Sequence, residues 1–481
     1  MMKNTIVYST CNQNSYLYNW DRSLSMWLHP ELRKACQQEA CDSYYSQKYA
    51  YLKSRNFFNQ AKPTEFGTIL DESVIENNII NVPQISFETT DHCNLRCRYC
   101  SLSDLYTFKG KREQNNIDSR RAFRLLRYIF DLKSEGSTLA IGFFGGEPLV
   151  NGTFICEVLE ELKRLNETKH LKLEFTITTN ATLLDRYMDL LVENQFAILI
   201  SLDGDERGQS FRTFAYDGKN SFQQAVQNID LLYKKYPDFF EKNVKFNAVL
   251  NSRNSVQSIY EFIYNRYHKI PSIAQINGDH LNPEKKDLFN RLFQDRQASE
   301  KQFYASDSDL RETMLERSIQ FNMLKDFLSS ALGFYFVNPL DLLFDRICLI
   351  PTKTCSPFQR KMYVSTHNEL LPCEKVSYVY ALGKMADSVE IDVKEAARRY
   401  SSYYERIQSV CQKCYNLRTC SICLLTLDNL DKLGTERFRC PEYLDEDMFR
   451  NKLGRIFSYL EAHPKYFAHA INKKLTEKKE A

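Results

Sequence analysis

The sequence lacks three features that would place it in common functional classes. Its 64 Lys and Arg nearly balance 61 Asp and Glu, giving a net charge of +3, so no strongly basic surface suggests a nucleic-acid partner. The N-terminus does not follow the pattern of a signal peptide, and nowhere do about 18 apolar residues run together. We therefore expect a soluble cytoplasmic protein with no nucleic-acid or membrane partner.

Cysteine, by contrast, is abundant. The chain has 15 cysteines in 481 residues, and cytoplasmic thiols stay reduced, so metal ligation or redox chemistry is a better interpretation than disulfides. Four of them stand apart and are interpreted as ordinary small side chains: Cys11, Cys36, Cys41 and Cys156. The other eleven fall into one tight triplet and one C-terminal group.

The middle of the chain alternates short β-like runs with amphipathic helical stretches, which is typical of βα units and a parallel sheet. Six strands are predicted, at 84–90, 138–144, 171–178, 197–202, 244–250 and 273–277. Because a closed barrel has eight units, we predict an α/β fold with a partial, open (β/α)6 barrel and functional residues in the loops after its strands.

Five segments are expected along the chain. Around the barrel, the pattern predicts a β-hairpin with helices, a charged helical bridge, and a cysteine-rich segment stabilised by metal rather than by a large core. The expected bounds are 1–82 for the hairpin module, 83–282 for the barrel, 283–345 for the bridge, 346–445 for the cysteine-rich domain and 446–481 for a final helix and tail.

The triplet Cys93, Cys97 and Cys100 places three thiolates in the loop that leaves the first barrel strand. Three thiolates suit a [4Fe-4S] cluster whose fourth iron is free to chelate a small molecule. Judged by this spacing alone, a zinc loop completed by His92 is the alternative.

The spacing Cys-x3-Cys-x-aromatic-Cys after the first strand of a βα barrel resembles the signature of the radical S-adenosylmethionine (SAM) superfamily. Further segments at successive strand ends follow in that family's order, and Ala181 replaces the glycine of its Thr-Asn-Gly segment. The resemblance implies that Glu147 holds the methionine amino group, that Tyr99 packs on the adenine and that Arg212 meets the cofactor carboxylate. The full implied SAM site is Tyr99, Gly145, Gly146, Glu147, Pro148, Thr179, Asn180, Ser201, Asp203 and Arg212.

The C-terminal thiols have Cys-x2-Cys pairs that suit zinc or iron–sulfur clusters equally. Their arrangement resembles the SPASM extension of radical SAM enzymes, with two departures: the last pair is one residue short, and Asn368 replaces a glycine, which asparagine tolerates in a left-handed turn. The resemblance implies two auxiliary clusters, and hence three [4Fe-4S] clusters in all. Their implied ligands are Cys348, Cys355, Cys373 and Cys423 for the nearer cluster, and Cys411, Cys414, Cys420 and Cys440 for the farther one.

The family resemblance implies a radical mechanism. An external donor such as flavodoxin or ferredoxin reduces the first cluster, SAM is cleaved, and a 5′-deoxyadenosyl radical takes a hydrogen from the substrate. If all eight C-terminal thiols bind, neither auxiliary cluster has an open iron, which favours electron transfer as their role. Glu374 stands where sulfatase-maturing relatives carry an aspartate proposed as a base, and a surface carboxylate is the other interpretation.

The substrate prediction depends on the N-terminal segment, because its hairpin and helices resemble the winged-helix element with which peptide maturases bind a leader peptide as an added strand. Trp27-Leu-His-Pro and the tyrosine-rich segment that begins at Tyr44 look like the front end of such maturases. We therefore predict a maturase that forms a thioether or carbon–carbon crosslink in a ribosomally made precursor peptide. The alternatives are a formylglycine-generating sulfatase maturase and a non-catalytic, zinc-stabilised peptide-binding homologue.

Overall fold

A computed structural model describes residues 2–58, 60–61, 64, 66, 70–107, 113–331 and 351–479. The N-terminal module begins with a three-stranded antiparallel sheet of β1 (Thr5–Ser9), β2 (Ser15–Asn19) and β3 (Leu24–Trp27). Helices α1 (Pro30–Cys36), α2 (Ser43–Ser54) and α3 (Glu72–Ile80) follow. The stretch after Ser15, which the sequence shows as one strand-like run, is two strands because the chain reverses before Ser23, whose φ is +49°.

The middle of the chain contains all six predicted strands, each displaced by no more than two residues at either end. The side chains of Gln84–Thr90 are buried on both faces of the sheet, whereas those of Ala197–Ser201 and Val244–Leu250 alternate between buried and less buried positions. The six strands are β4 (Gln84–Thr90), β6 (Thr138–Gly145), β7 (Lys172–Thr179), β8 (Ala197–Ser201), β10 (Val244–Leu250) and β11 (Ser272–Gln275). Two further short strands, β5 (Leu95–Cys97) and β9 (Arg212–Phe214), form a separate small ribbon.

Amphipathic helices connect these strands. Asp118 caps α4 by accepting from the backbone of Arg120 and Arg121, and one face of that helix is buried at the spacing of an amphipathic helix. The helices are α4 (Ser119–Leu132), α5 (Gly152–Lys169), α6 (Leu184–Glu193), α7 (Glu206–Gln209), α8 (Phe222–Lys235), α9 (Pro237–Asn243) and α10 (Val256–Tyr267).

The segment after the barrel is helical, as its charged sequence predicts, and leads to a C-terminal module of short strands and long helices. The bridging helices are α11 (Lys286–Leu292), α12 (Arg296–Ala305), α13 (Arg311–Met314) and α14 (Ile319–Ala331). The C-terminal elements are β12 (Met362–Val364), β13 (Glu369–Leu371), β14 (Gly383–Met385), β15 (Val389–Ile391), α15 (Val393–Cys411), α16 (Glu446–Ala462) and α17 (Lys465–Lys479).

One sheet joins the barrel strands to the C-terminal module. Its ten strands run in the order β11-β10-β8-β7-β6-β4-β12-β13-β14-β15, with β12 parallel to β4. Glu88, fully buried on β4, accepts hydrogen bonds from the Thr366 backbone at 3.1 Å and from the Tyr378 hydroxyl at 3.0 Å. The cysteine-rich segment therefore shares a hydrophobic core with the barrel, contrary to the expectation of a mainly metal-stabilised unit. The sequence does not reveal this core, because strands of three residues are too short to show a hydrophobic period.

The N-terminal sheet packs on α16. The Tyr8 ring lies 5.3 Å from that of Phe457, and Arg450 donates to the Val7 carbonyl at 3.1 Å, so α16 covers the outer edge of β1. The other edge strand, β3, carries Trp27, which is 54% exposed. None of the helices in the described segments has the length and apolar character needed to span a bilayer.

Candidate cofactor and substrate site

The cysteine triplet lies in the loop that follows β4, directly against the turn that follows β6. Gly145 has a φ of +128°, and a β-carbon there would lie 2.2 Å from the Thr90 carbonyl oxygen. At Gly146 a β-carbon would lie 2.1 Å from the carbonyl oxygen of His92. Both positions therefore require glycine, because the backbone of this turn touches the backbone next to the first cysteine.

The three thiols of the triplet are close enough to influence one another. Burial raises the pKa of Cys97 to about 12, with further increases from Cys100 and Cys93 and an opposing effect from Arg212. Metal ligation requires thiolates, so an empty buried site would hold protonated thiols until a cation compensated the charge. The donor set fits an iron–sulfur cluster.

Glu147 connects this loop to the end of β7. Its buried carboxylate accepts from the Thr179 hydroxyl and from the Asn180 backbone, each at 2.7 Å. The Asn180 amide then donates to Asn94 in the cysteine loop at 2.9 Å. Burial raises the pKa of Glu147 to about 7, although these hydrogen bonds act in the other direction. A carboxyl group buried without a cation beside it suits a ligand that brings an ammonium group.

This pKa predicts pH-dependent binding of SAM. Protonation of Glu147 removes the charge that would attract the cofactor ammonium, so affinity should fall as the pH is lowered through about 7. Between pH 8 and pH 6 we expect a decrease of about tenfold in equilibrium dialysis with labelled SAM. Glu147→Gln should bind weakly at both pH values; equal affinity of the unsubstituted protein at pH 6 and pH 8 would contradict the prediction.

Asp203 is completely buried and holds its neighbours instead of facing the cavity. Arg212 donates to its two carboxylate oxygens, each at 3.0 Å, and the Tyr99 hydroxyl and the Val249 backbone also donate to it. Tyr99, Ser201 and Arg212 line the cavity, whereas Asp203 is not among its lining residues. Asp203 thus fixes the positions of two predicted SAM contacts.

Two positions where the sequence departs from family glycines have left-handed backbone. Asn368 has a φ of +65°, which confirms the expectation that asparagine serves this turn. Ala181 has a φ of +63° and is fully buried at the end of β7. Alanine is strained in this conformation, so the surrounding structure must hold this loop in place.

One cavity of about 610 Å³ extends from the triplet to the C-terminal module. Glu374 and Lys375 also line it, and Lys361 approaches Glu374 to 3.1 Å. Burial raises the pKa of Glu374, but Lys361 and the hydrogen bonds from its own backbone and from Cys373 together outweigh burial, so the net pKa lies below the usual value. The His280 ring, 2.8 Å from Asp428, ties the loop after β11 to the same module.

Several of the described C-terminal cysteines have other thiols as neighbours. The pKa of Cys411 is raised by burial first and then by three thiols of its own set: Cys420, Cys414 and Cys440. Cys423 instead has Cys355 as its neighbouring thiol. Cys348 lies outside the described residues. Within the described ranges, no three His, Cys, Asp or Glu side chains converge tightly enough to hold a single metal ion, whereas a cubane holds its thiolates farther apart.

Comparison with known proteins identifies the central part of the chain. The model of the Radical SAM superfamily matches residues 87–263, which contain the triplet and the three strand-end segments that follow it. These residues form a Radical SAM domain. The chain is similar to the radical SAM cyclopropyl synthase TigE of Paramaledivibacter caminithermalis (26% identity) and to the cysteine-type anaerobic sulfatase-maturating enzyme of Clostridium perfringens strain 13 (28% identity).

These similarities are partial. Each match covers 35% of this chain. The matched part makes up 36% of the TigE sequence and 45% of the sulfatase-maturating enzyme, so the chain spans less than half the length of these relatives. A solved structure described as native anSMEcpe with bound AdoMet and Cp18Cys peptide has a TM-score of 0.53 and 17% identity, and covers 81% of this chain and 99% of its own. The fold therefore extends well beyond the Radical SAM domain.

Sequence reasoning found the residues at the strand ends but missed others. Lys361, His280 and Asp428 carry no motif. Packing in the fold brings Lys361 to Glu374 and brings His280, which lines the cavity, to Asp428. Pro148 was predicted at the cofactor site, yet it is buried beside Glu147 and is not among the cavity-lining residues.

Proposed function

We propose that this chain is a radical SAM enzyme that modifies a ribosomally made precursor peptide, forming a thioether or carbon–carbon crosslink. The observation that carries the proposal is one cavity whose wall includes the cysteine triplet and Glu147 together with Glu374 and Lys375 of the C-terminal module. With its cluster on Cys93, Cys97 and Cys100 and SAM bound, the site supplies a 5′-deoxyadenosyl radical that removes a hydrogen atom from the substrate.

The residues of the chain have distinct tasks in this proposal. Glu147 binds the cofactor ammonium, while Arg212 binds its carboxylate and Tyr99 packs on its adenine. Asp203 keeps these last two side chains in place through the hydrogen bonds described above.

The C-terminal thiols would hold two further [4Fe-4S] clusters that carry the surplus electron away. Support comes from the separation of Cys411, Cys414, Cys420 and Cys440 from the pair formed by Cys355 and Cys423. Cys373 completes the second set beside Glu374, and Cys348 is its remaining proposed ligand. Glu374, held by Lys361, is proposed to take the proton that the substrate loses.

The N-terminal module is proposed to bind the leader of the precursor peptide. Leu28 donates to the Ser15 carbonyl at 2.8 Å, so by the alternation of an antiparallel pair the backbone groups of Ser25 and Trp27 point away from β2. A leader added as a strand would pair with these groups. A row of ring contacts leads from Trp27 through His29 and Tyr45 to Tyr44 on α2, which is 60% exposed.

A sulfatase-maturing activity is the second candidate. It is favoured by the carboxylate at position 374 and by the fold shared with anSMEcpe, whose structure contains a peptide. Such an enzyme needs no leader, so the two candidates differ in what the β3 edge does.

Trp27→Ala distinguishes these candidates. Loss of a large exposed aromatic at a peptide-binding edge should weaken binding of a candidate precursor peptide that carries its leader by about 30-fold, the effect of a typical interface hot spot. Fluorescence anisotropy with the labelled peptide measures this. Tyr128→Ala, which removes a partly exposed aromatic from α4, is the matched control.

Unchanged affinity of the Trp27 variant would contradict leader recognition by β3. A point substitution is preferable to deletion of the module, because Tyr8, Tyr18 and Trp20 are buried against α16 and its surroundings, and deletion would expose that core.

A further inference from the structure

The cysteine triplet is accessible from two sides. Cys97 and Cys100 line the inner cavity described above, and they also line a second cavity of about 740 Å³ on the outer side of the same loop. Leu102 and Tyr106 also line both cavities, and Leu288 adds to the apolar wall of the outer one. Among the described residues, it is the cysteine loop that would separate a cluster on this triplet from the outer cavity.

Arginines surround the outer cavity. Arg96 and Arg98 line it and are exposed, and the Arg98 guanidinium lies 5.8 Å from the ring of Phe211. On the same ring, Arg253 lies at 4.1 Å and is also exposed. We name Arg96, Arg98 and Arg253 the outer arginine patch.

The patch keeps its positive charge. Within the described part of the chain, no carboxylate forms an ion pair with any of its three arginines. Arg96 donates instead to the Cys93 and Leu95 carbonyls, and Arg253 to the Ser210 hydroxyl. Asp104, the acidic residue that lines the outer cavity, is paired with Lys285 at 2.8 Å.

We propose that the outer arginine patch is the docking surface for an acidic one-electron carrier protein of the flavodoxin class. An apolar centre with a charged rim is the usual anatomy of a transient interface, and positive charge steers an acidic partner to it. Electron transfer slows steeply with distance, so the donor should dock where the cluster is nearest the surface. One electron passes to the cluster and the donor is oxidised by one electron; no bond is made and no proton moves.

A different surface cavity, near Cys414 and Cys420, fits such a partner less well. It is lined by residues of both signs: Asp326, Glu442, Lys452 and Arg455. The Lys452 ammonium is already bound to Asn416 at 2.6 Å and to Thr419 at 3.0 Å. Charge complementarity therefore favours the arginine patch for an acidic donor.

The inference rests on the proposed function. Its test compares the anaerobically reconstituted protein with its Arg253→Glu variant and uses a purified bacterial flavodoxin as the probe. Arg253 is far from the cysteines in sequence and does not line the SAM cavity. Binding of oxidised flavodoxin, measured by biolayer interferometry at low salt, should weaken by about 10- to 100-fold, with a smaller dependence on ionic strength. Arg98→Glu with Arg253→Glu should weaken it further.

Arg186→Glu, an exposed arginine on α6, makes the same change in net charge and should leave binding unchanged. SAM cleavage driven by dithionite needs no docking, so Arg253→Glu should retain it while losing flavodoxin-driven cleavage. Equal losses in the Arg253 and Arg186 variants, or no loss in either, would overturn the inference. Absence of dithionite-driven cleavage in the unsubstituted protein would instead overturn the proposed function.

Discussion

Replacement of Cys93, Cys97 and Cys100 together by alanine is expected to abolish formation of 5′-deoxyadenosine from SAM. The three thiols are the proposed ligands of the cluster that binds the cofactor, and no described side chain in the loop can substitute for them. The anaerobically purified variant should contain about eight irons per chain instead of about twelve, because the two auxiliary clusters remain. Iron analysis and chromatography of the nucleoside products measure both effects.

Cys156→Ala is the matched control, since this half-buried thiol lies on α5 and belongs to neither cysteine group. It should keep the iron content and the SAM cleavage of the unsubstituted protein. Zinc without iron in the unsubstituted protein would contradict the radical mechanism and favour a zinc-stabilised peptide-binding scaffold. An unchanged iron content in the triple variant would show that the triplet holds no cluster.

Glu374→Gln is expected to lower formation of the modified peptide by about 10²- to 10⁴-fold, the usual contribution of a general base. The glutamine keeps the size of the side chain and can still meet Lys361, but it cannot take a proton. SAM cleavage should continue, because Glu374 pairs with Lys361 and takes no part in the hydrogen bonds that hold Glu147. The measurement compares 5′-deoxyadenosine with modified peptide in one reaction, the latter by mass spectrometry.

Glu369→Gln is the control for that substitution. Glu369 lies on β13 of the same module, is partly buried and hydrogen-bonded to Ser365, and is absent from the cavity wall. It should change neither product. Equal yields of modified peptide from the Glu374 variant and from the unsubstituted protein would show that this carboxylate is not the base.

The parts of this molecule that could be predicted from sequence are those with a period or a motif. The strands from Gln84 to Gln275 alternate with helices, so the fold of this part could be predicted, and the residues proposed for the site follow at the carboxyl ends of those strands. The two sets of C-terminal thiols follow a spacing pattern, and Asn368 adopts the left-handed conformation expected of it.

Other features depend on contacts between distant segments. The strands β12 to β15 have three residues each, too few to show alternation, and the burial of Glu88 is explained only by its partners Thr366 and Tyr378. Likewise, the sequence cannot show that the Asp203 carboxylate accepts hydrogen bonds from Arg212 and Tyr99. Similarity of a short segment to a family motif does not reveal which way a carboxylate points.

The pairing of β12 with β4 also bears on solubility. Without its partner, β4 would present a row of unpaired amide and carbonyl groups on a strand whose side chains are almost all buried. Such an edge is a template for aggregation. Residues 83–282 expressed alone should therefore self-associate, which means that the C-terminal module protects the barrel edge whether or not its thiols hold metal.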